Sequence, residues 1–427
     1  MGDKAKAGRL KRFLKVLGPG LITGAADDDP SGIVTFSQAG AAFQYGLLWV
    51  VPLQLPLMIA VQMMCARIGL VSGWDLAGVL REHYPRWVLW LSFLLLFVAN
   101  MVSIAADIDG IAAAAELLTG IASLWFVLPV TALIFAMLAF KSYRSIVTVF
   151  KWLTLSLLAY VIAGVLAGPD WSRVLRATFL PQISSSQDYL VTFVGLFGTT
   201  ISPYLFFWQS AQEVDQQKDE GKHTPAQRRG ATRQEMVDVW TDTVTGMVFS
   251  QVICYFIIIA TGAVVFTSGR HDITTAAQAA EALKPVGSGL GTILFCVGLI
   301  GTGLLGVPTL AGSIAYVLNA AMGWPVGMGE SLRKAKAFYV IIGLSMLLGG
   351  ALDFAQISPV KLLFGAAVLN GLLAPPLLVI ILLISNRRKI MQGHTNGRLL
   401  NALGIITTLI MAGTAAWLAV AWGVSLL

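Results

Sequence analysis

A chain of 427 residues in which 56% of side chains are hydrophobic and only 12% charged, with a mean hydropathy of +0.77, has too little polar surface for a soluble globular domain and reads as a polytopic membrane protein. Its net charge of +7 comes from Lys and Arg gathered in short segments between apolar runs, which is the pattern of membrane topology and not of a nucleic-acid surface. Cys65, Cys254 and Cys296 stand singly in apolar runs, so neither a disulfide framework nor a thiolate metal site is implied and packing is their expected role.

The opening "MGDKAKAGRLKRFLK" reads as a basic cytoplasmic lead-in, because no short apolar segment with a small-residue cleavage site accompanies it. After residues 1–13, eleven stretches are long enough, at about 20 residues each, to cross about 30 Å of hydrocarbon. They are 14–44, 47–70, 87–118, 123–140, 144–167, 189–211, 239–267, 287–322, 336–352, 358–384 and 399–425. With the N-terminus inside, 24 of the Lys and Arg residues fall on the cytoplasmic side and 5 outside, which is the asymmetry that the positive-inside rule demands. An odd number of spans then puts the C-terminus outside. The loops "GPDWSRVLRATFLPQISSSQ" and "TSGRHDITTAAQAAEALKP" are expected outside, partly helical along the interface. The longest polar stretch, Glu213 to Asp238, is too short to bury a core of its own and reads as a mobile cytoplasmic loop. The expectation is one all-α transmembrane domain over 1–427, monomeric in the bilayer of the cell membrane, with no cofactor.

Spans 1 and 6 are each interrupted at mid-membrane by proline among small and polar residues, "ADDDPSG" at 26–32 and "GTTISPY" at 198–204. Proline removes an N–H and unwinds the helix, so carbonyl oxygens are freed where there is no water to take them. A cation is one partner for such oxygens. Because span 6 is where a five-span unit would begin again, residues 14–167 (spans 1–5) and 189–384 (spans 6–10) are expected to be inverted repeats, with 399–425 appended, and paired interrupted helices are the best sequence pointer to a transporter's midplane site. Proline kinks are also common in membrane helices for packing reasons alone, and Pro203 by itself would be open to that account. Asp27, Asp28 and Asp29 are not, since each carboxylate at that depth costs roughly 2.5–3.5 kcal/mol on insertion scales.

The charges inside the spans are nearly all acidic: those three, with Asp107 and Asp109 in "SIAADIDGIAAAAELL" of span 3. No Lys or Arg lies mid-span to neutralise them, so the missing positive charge is expected to arrive as substrate. His83, His223, His271 and His394 all fall in loops. What remains for an intramembrane site is carboxylate, carbonyl, hydroxyl and water, the oxygen set of hard cations such as magnesium and calcium.

"GPGLITGAADDDPSGIVTFSQ" resembles the first span of the NRAMP divalent-metal transporters, whose pattern runs GPG, then DPGN. "LLWVVPLQLPLMIAVQMMCARIGLVSG" is similar to that family's second span, and "GTTISPYLFFWQS" to its sixth, where the family reads Met-Pro-His. The resemblance covers the order and number of hydrophobic segments along essentially the whole chain. It implies a LeuT-like fold of five plus five helices with broken helices 1 and 6, and metal transport by alternating access. Carried over residue by residue, it makes Asp29 the metal-binding aspartate, puts Gly32 at the family's asparagine and Ser202 at its methionine. Loss of the thioether makes the site harder, and loss of the amide makes it wider, which suits magnesium because that ion gives up its water reluctantly; the combination resembles the NRAMP-related magnesium transporter branch, with manganese as a second substrate. Thr199 and Ile201 offer carbonyls before the second break, and Asp28 stands in a second shell or faces water. Asn370, in "VLNGLLAPP", either holds a metal-bound water or makes an interhelical hydrogen bond. Thr35 and Gln38 line an outer vestibule or pack among polar neighbours.

The resemblance also implies a proton route through a span 3 aspartate, a glutamate three residues later and the span 6 histidine. Here the aspartate is Asp107, but the other two positions are Gly110 and Tyr204, so the route is read as a remnant and transport as uncoupled from protons. The closest alternative is ordinary proton-coupled manganese or iron symport. An intramembrane aspartyl protease needs two buried acids, but the chain lacks the GxGD signature. An organic substrate, as in sodium-coupled amino-acid transporters, is disfavoured by three aspartates at the break.

Overall fold

Helices make up all the regular structure of the residues that the computed structural model describes, 18–140, 157–330, 332–352 and 358–425; no strand occurs among them. Water is absent from a bilayer core, so a backbone there must bond to itself, and the helix does this within one segment. Among the described residues seven helices are long and apolar enough to cross a membrane, and Leu124–Ala139 and Lys336–Ala351 are shorter apolar helices.

The first span is two half-helices, α1 (Pro19–Asp27) and α2 (Pro30–Phe43). Then follow α3 (Val50–Ser72), the short α4 (Leu76–His83), α5 (Arg86–Thr119), α6 (Leu124–Phe140), α7 (Leu158–Leu166) and α8 (Trp171–Phe179). The stretch expected as span 6 is again two halves, α9 (Gln187–Thr200) and α10 (Pro203–Asp219). The rest is α11 (Arg233–Val264), α12 (Ala276–Ala280), α13 (Ser288–Met322), α14 (Lys336–Leu352), α15 (Pro359–Ser385) and α16 (Arg398–Ser425). The helix across the sixth expected stretch runs to Asp219, past 211, and the next begins at Arg233, ahead of 239. Of the span expected at 144–167 only α7 is described; the lead-in 1–13 and the segment 144–156 lie outside the described residues.

The polar stretch 213–238 differs from its reading as a mobile loop. Its first part continues α10 to Asp219 and its last part begins α11 at Arg233, under a capping box in which Thr232 and Glu235 serve each other's backbone N–H. The turn between is held by Arg228, buried, which donates to the carbonyls of Gly73, Lys222 and His223. An arginine with five donors can satisfy several carbonyls at once, and composition does not reveal that use.

Two features hold α1 in place. Glycines let backbones approach: a β-carbon on Gly24 would overlap the Gly246 carbonyl, and one on Gly246 would overlap that of Gly20. The N-terminal N–H groups of α1 are then taken by a residue more than 220 positions away in sequence. Asp242 on α11 accepts from Gly18 N at 2.8 Å, Gly20 N at 2.6 Å and Leu21 N at 3.0 Å. A negative group at the positive end of a helix is favourable, and three orphan donors are satisfied together.

Asp242→Ala should therefore cost about 3 kcal/mol in α1 docking, taking roughly 1 kcal/mol for each unmade buried bond. Hydrogen exchange in the first turns of α1 should speed up and the unfolding midpoint fall, with a smaller loss in Asp242→Asn, which keeps one acceptor. Unchanged exchange in the alanine variant would show that glycine packing alone holds the half-helix.

Candidate metal centre

At each break the local sequence starts a new helix. Asp29, with extended backbone (φ −67°, ψ 171°), is the N-cap of α2, and Pro30 takes the first helical position, where its missing N–H costs nothing. Ser202 and Pro203 stand in the same relation to α10. The breaks are thus the ordinary start signal of a helix written in the middle of a span.

Asp29 is buried, 2% exposed, and its carboxylate is surrounded by neutral donors. Oδ1 accepts from Ser31 Oγ at 2.7 Å and Gly32 N at 2.8 Å; Oδ2 lies 3.2 Å from Tyr204 Oη. Tyr204 also donates to the Ala26 carbonyl at 2.8 Å, an oxygen that the end of α1 leaves without a helical partner. Gly32 faces the other side of this cluster: a β-carbon there would lie 3.1 Å from both the Asp27 carbonyl and Thr199 Oγ1. That hydroxyl has no hydrogen-bond partner. Thr199 therefore brings a side-chain oxygen as well as the expected carbonyl.

Ser202 is turned away from Asp29. Its hydroxyl donates back to the carbonyls of Gly198 at 2.6 Å and Thr199 at 2.8 Å, closing the end of α9. Ile201 is fully buried between the halves, and its N–H is held by Phe197 O at 2.8 Å. Asp28 faces α11 with Asp27: Ser250 Oγ reaches Asp27 Oδ2 at 2.7 Å and Asp28 Oδ1 at 3.0 Å, and Cys254 Sγ lies 3.4 Å from Asp28 Oδ1. The three consecutive aspartates thus divide between two sides.

Asp107 comes to Asp29 across a residue that the sequence reading missed. A β-carbon on Gly306 of α13 would lie 2.8 Å from Asp107 Oδ2 and 3.2 Å from Asp29 Cβ. Asp107 is fully buried, with the Ser31 backbone N–H as its nearest donor. The signal for Gly306 was the run "GTGLLGVPTLAG" in one span, too glycine-rich for a helix that merely crosses. Gly110 has a packing duty, since its bare face seats Pro30, whose Cβ would be 3.3 Å from a β-carbon there. Asn370 ties α15 to α5 through Ser103 at 3.1 Å, and its Oδ1 is left without a partner. Of the vestibule candidates, Thr35 bonds back to Ser31 O at 2.6 Å, and Gln38 bonds to Asp272 Oδ1 and Ile273 N.

Among the described residues, no three His, Cys, Asp or Glu side chains gather closely enough to hold a metal ion. The centre is one carboxylate amid hydroxyl and carbonyl oxygen, with a second carboxylate opposite.

Residues 20–421 match the family model described as natural resistance-associated macrophage protein-like, Nramp. The divalent metal cation transporter MntH of Pectobacterium carotovorum subsp. carotovorum is 26% identical over 409 residues, spanning 93% of this chain and 92% of that protein. In fold, the chain is similar to the Eremococcus coleocola manganese transporter, with a TM-score of 0.73 at 21% identity over 95% of this chain and 86% of that one. It is also similar to Mhp1, a nucleobase-cation-symport-1 family transporter, with a TM-score of 0.56 at 15% identity over 94% and 93%.

Tyr204 touches both halves of the first break, at the Ala26 carbonyl and at Asp29. Tyr204→Phe should lower stability by about 1–2 kcal/mol, the cost of leaving a buried carbonyl unpaired, and speed hydrogen exchange at residues 26–32. A variant with unchanged exchange there would reduce Tyr204 to packing.

Proposed function

The chain belongs to the Nramp family, and from that premise we propose that it imports divalent metal ions, magnesium first and manganese second, by alternating access and under the membrane potential alone. It is a multi-pass membrane transporter and not an enzyme, which sets the protease reading aside. The same proposal takes eleven spans, with 14–167 and 189–384 as inverted five-span repeats, a cytoplasmic N-terminus, an extracytoplasmic C-terminus and a monomer in the cell membrane. The relatives' printed names, divalent metal cation transporter and manganese transporter, support the class of substrate.

The observation that carries the choice of magnesium is the donor set around Asp29. Every partner of that carboxylate offers oxygen or backbone N–H, with no thioether or imidazole among them. With so few side-chain ligands an ion here keeps much of its water, and magnesium is the ion that prefers to. Asp29 is the proposed direct ligand; Thr199, Ile201 and Asn370 hold its waters; Gly32 provides the room, and Asp28, turned to Ser250 and Cys254, acts only through its charge. Cys254 is the soft donor nearby, but it bonds to Asp28, on the side facing α11.

One observation favours the alternative of a proton-coupled symporter: a second buried carboxyl, Asp107, stands opposite Asp29. A relay needs further titrating groups within reach. Gly110 has no titrating side chain, and the Tyr204 hydroxyl is engaged with Ala26 and Asp29. A divalent ion meanwhile gains about 4.6 kcal/mol per 100 mV from a negative-inside potential, so entry needs no proton gradient.

Calorimetric titration of the purified protein should give magnesium and manganese binding that Asp29→Ala abolishes while the protein still elutes as a folded monomer; binding that survives moves the site elsewhere. Ser202→Met combined with Gly32→Asn should reverse the preference toward manganese and cadmium in vesicle uptake, because the first change adds sulfur and frees the Gly198 and Thr199 carbonyls. An unchanged magnesium-to-manganese ratio would end the claim that these positions set selectivity. In liposomes held at a potassium-valinomycin potential, magnesium should enter without acidifying the lumen. Stoichiometric acidification that disappears in Asp107→Asn would establish the symporter instead.

A further inference from the structure

Where the end of α15 meets the start of α16 and the end of α4, on the face that the proposed topology assigns to the cytoplasm, the helices leave a groove of about 540 Å³. Its deeper part is apolar, lined by Leu382 and Leu383 of α15 and Ile405 of α16, with Leu383 57% and Ile405 50% exposed. One helical turn further out on both helices come Asn386 and Asn401, each of which donates its amide to the other's oxygen at 2.8 Å. Tyr84 and Arg387 form the rim. Trp87, three residues after Tyr84 and 66% exposed, puts that rim at the level of the membrane interface, where tryptophan is enriched.

Arg387 is held in place without being neutralised. Its guanidinium lies over the Tyr84 ring, 5.2 Å from the centroid, and Nη1 donates to His83 O at 3.4 Å. That engages one of five N–H donors and leaves the charge standing. Arg387, Arg388 and Lys389 are all exposed, and among the described residues none of them forms an ion pair, nor does Glu82 beside His83. The segments outside the described residues add only two acidic side chains, Asp3 and Asp353, against nine Lys and Arg, six in 1–17 and three in 141–156. The groove thus joins an apolar channel that opens toward hydrocarbon to a cationic rim with unused donors.

We propose that this groove binds one anionic phospholipid, with its phosphate on Arg387 and an acyl chain along Leu383 and Ile405. A soluble phosphate would leave the apolar wall uncovered, and a hydrocarbon chain alone would leave the arginine without an anion. The guanidinium fork matches a pair of phosphate oxygens. Arg388 and Lys389 add positive charge beyond what one phosphate cancels, which favours a net-negative headgroup over a zwitterionic one. Bound there, the lipid ties α16, the helix appended to the proposed repeats, to α4 and α15.

The test titrates the full-length chain, purified in detergent, with phosphatidylglycerol and counts bound lipids by native mass spectrometry. The expected result is one phosphatidylglycerol held more tightly than any further copies and more tightly than phosphatidylcholine with the same acyl chains. Arg387→Gln should weaken that first binding about fivefold, the scale of one basic residue at an anionic lipid surface, and Leu383→Ser should weaken it by removing the chain contact. Arg333→Gln, at an exposed arginine outside the groove, should leave it unchanged. A thermal melt without added lipid verifies that each variant is folded. Equal retention of the two lipids, or equal effects of Arg387→Gln and Arg333→Gln, overturns the proposal. So does glycerol phosphate binding as tightly as the lipid, which would make the occupant a soluble phosphate, and so does a dimer that Arg387→Gln splits, which would make it a second copy of the chain. No metal is present in this titration, so its outcome is independent of the transport reading.

Discussion

A helix broken inside a membrane leaves carbonyl and N–H groups that water cannot reach, and the arrangement of this protein follows from how those groups are satisfied. At the first break Asp29 takes the Gly32 N–H and Tyr204 reaches across to the Ala26 carbonyl. At the second, Ser202 closes the end of α9 on itself. Groups left over, such as Thr199 Oγ1, face the space beside Gly32. The site is what remains after the breaks have been repaired with the side chains at hand.

The surrounding helices serve the same constraint. A half-helix of nine residues is too short to be stable by itself, so α1 leans on α11 through glycine contacts and the Asp242 cap. Pro30 needs a slot for its ring, and Gly110 provides it together with Gly303, whose β-carbon would lie 3.2 Å from Pro30 Cγ. The second break is supported in the same way, since a β-carbon on Gly198 would overlap the Ala367 carbonyl of α15. Small residues here are the means by which two interrupted helices are held at fixed positions without long side chains between them.

Much of this was legible because it is local. A cap residue followed by proline announces a helix start wherever it occurs, and it did so at Asp29 and Ser202. Long apolar helices followed from apolar length, since the bilayer permits little else. What was not legible depends on residues far apart in sequence. Nothing in "DDD" says that Asp27 and Asp28 turn to Ser250 and Cys254 while Asp29 turns to Tyr204; that division arises because Asp27 ends one helix, Asp28 is in neither, and Asp29 begins the next. Gly306 has no side chain to notice, and its meaning appears only when α5 and α13 bring Asp107 and Asp29 to it. The stretch 213–238 was misread because polarity was taken for looseness, whereas its glutamines and Arg228 are committed to particular carbonyls and carboxylates.

The carboxylate at the first break follows an electrostatic rule. A carboxylate paired with Lys or Arg is already neutralised, and an arriving cation must displace the partner or share with it. A carboxylate held by serine, tyrosine, glutamine or backbone N–H is fixed in direction while its charge stays uncancelled. Asp29 is held in that way by Ser31, Gly32 and Tyr204. Fixing the ligand beforehand reduces the ordering that binding must supply, and leaving the charge uncancelled keeps the attraction that draws a divalent ion out of water. The cost is a folded state that keeps carboxyl groups buried in low dielectric, and the tight glycine packing around α1 and Pro30 helps to hold it.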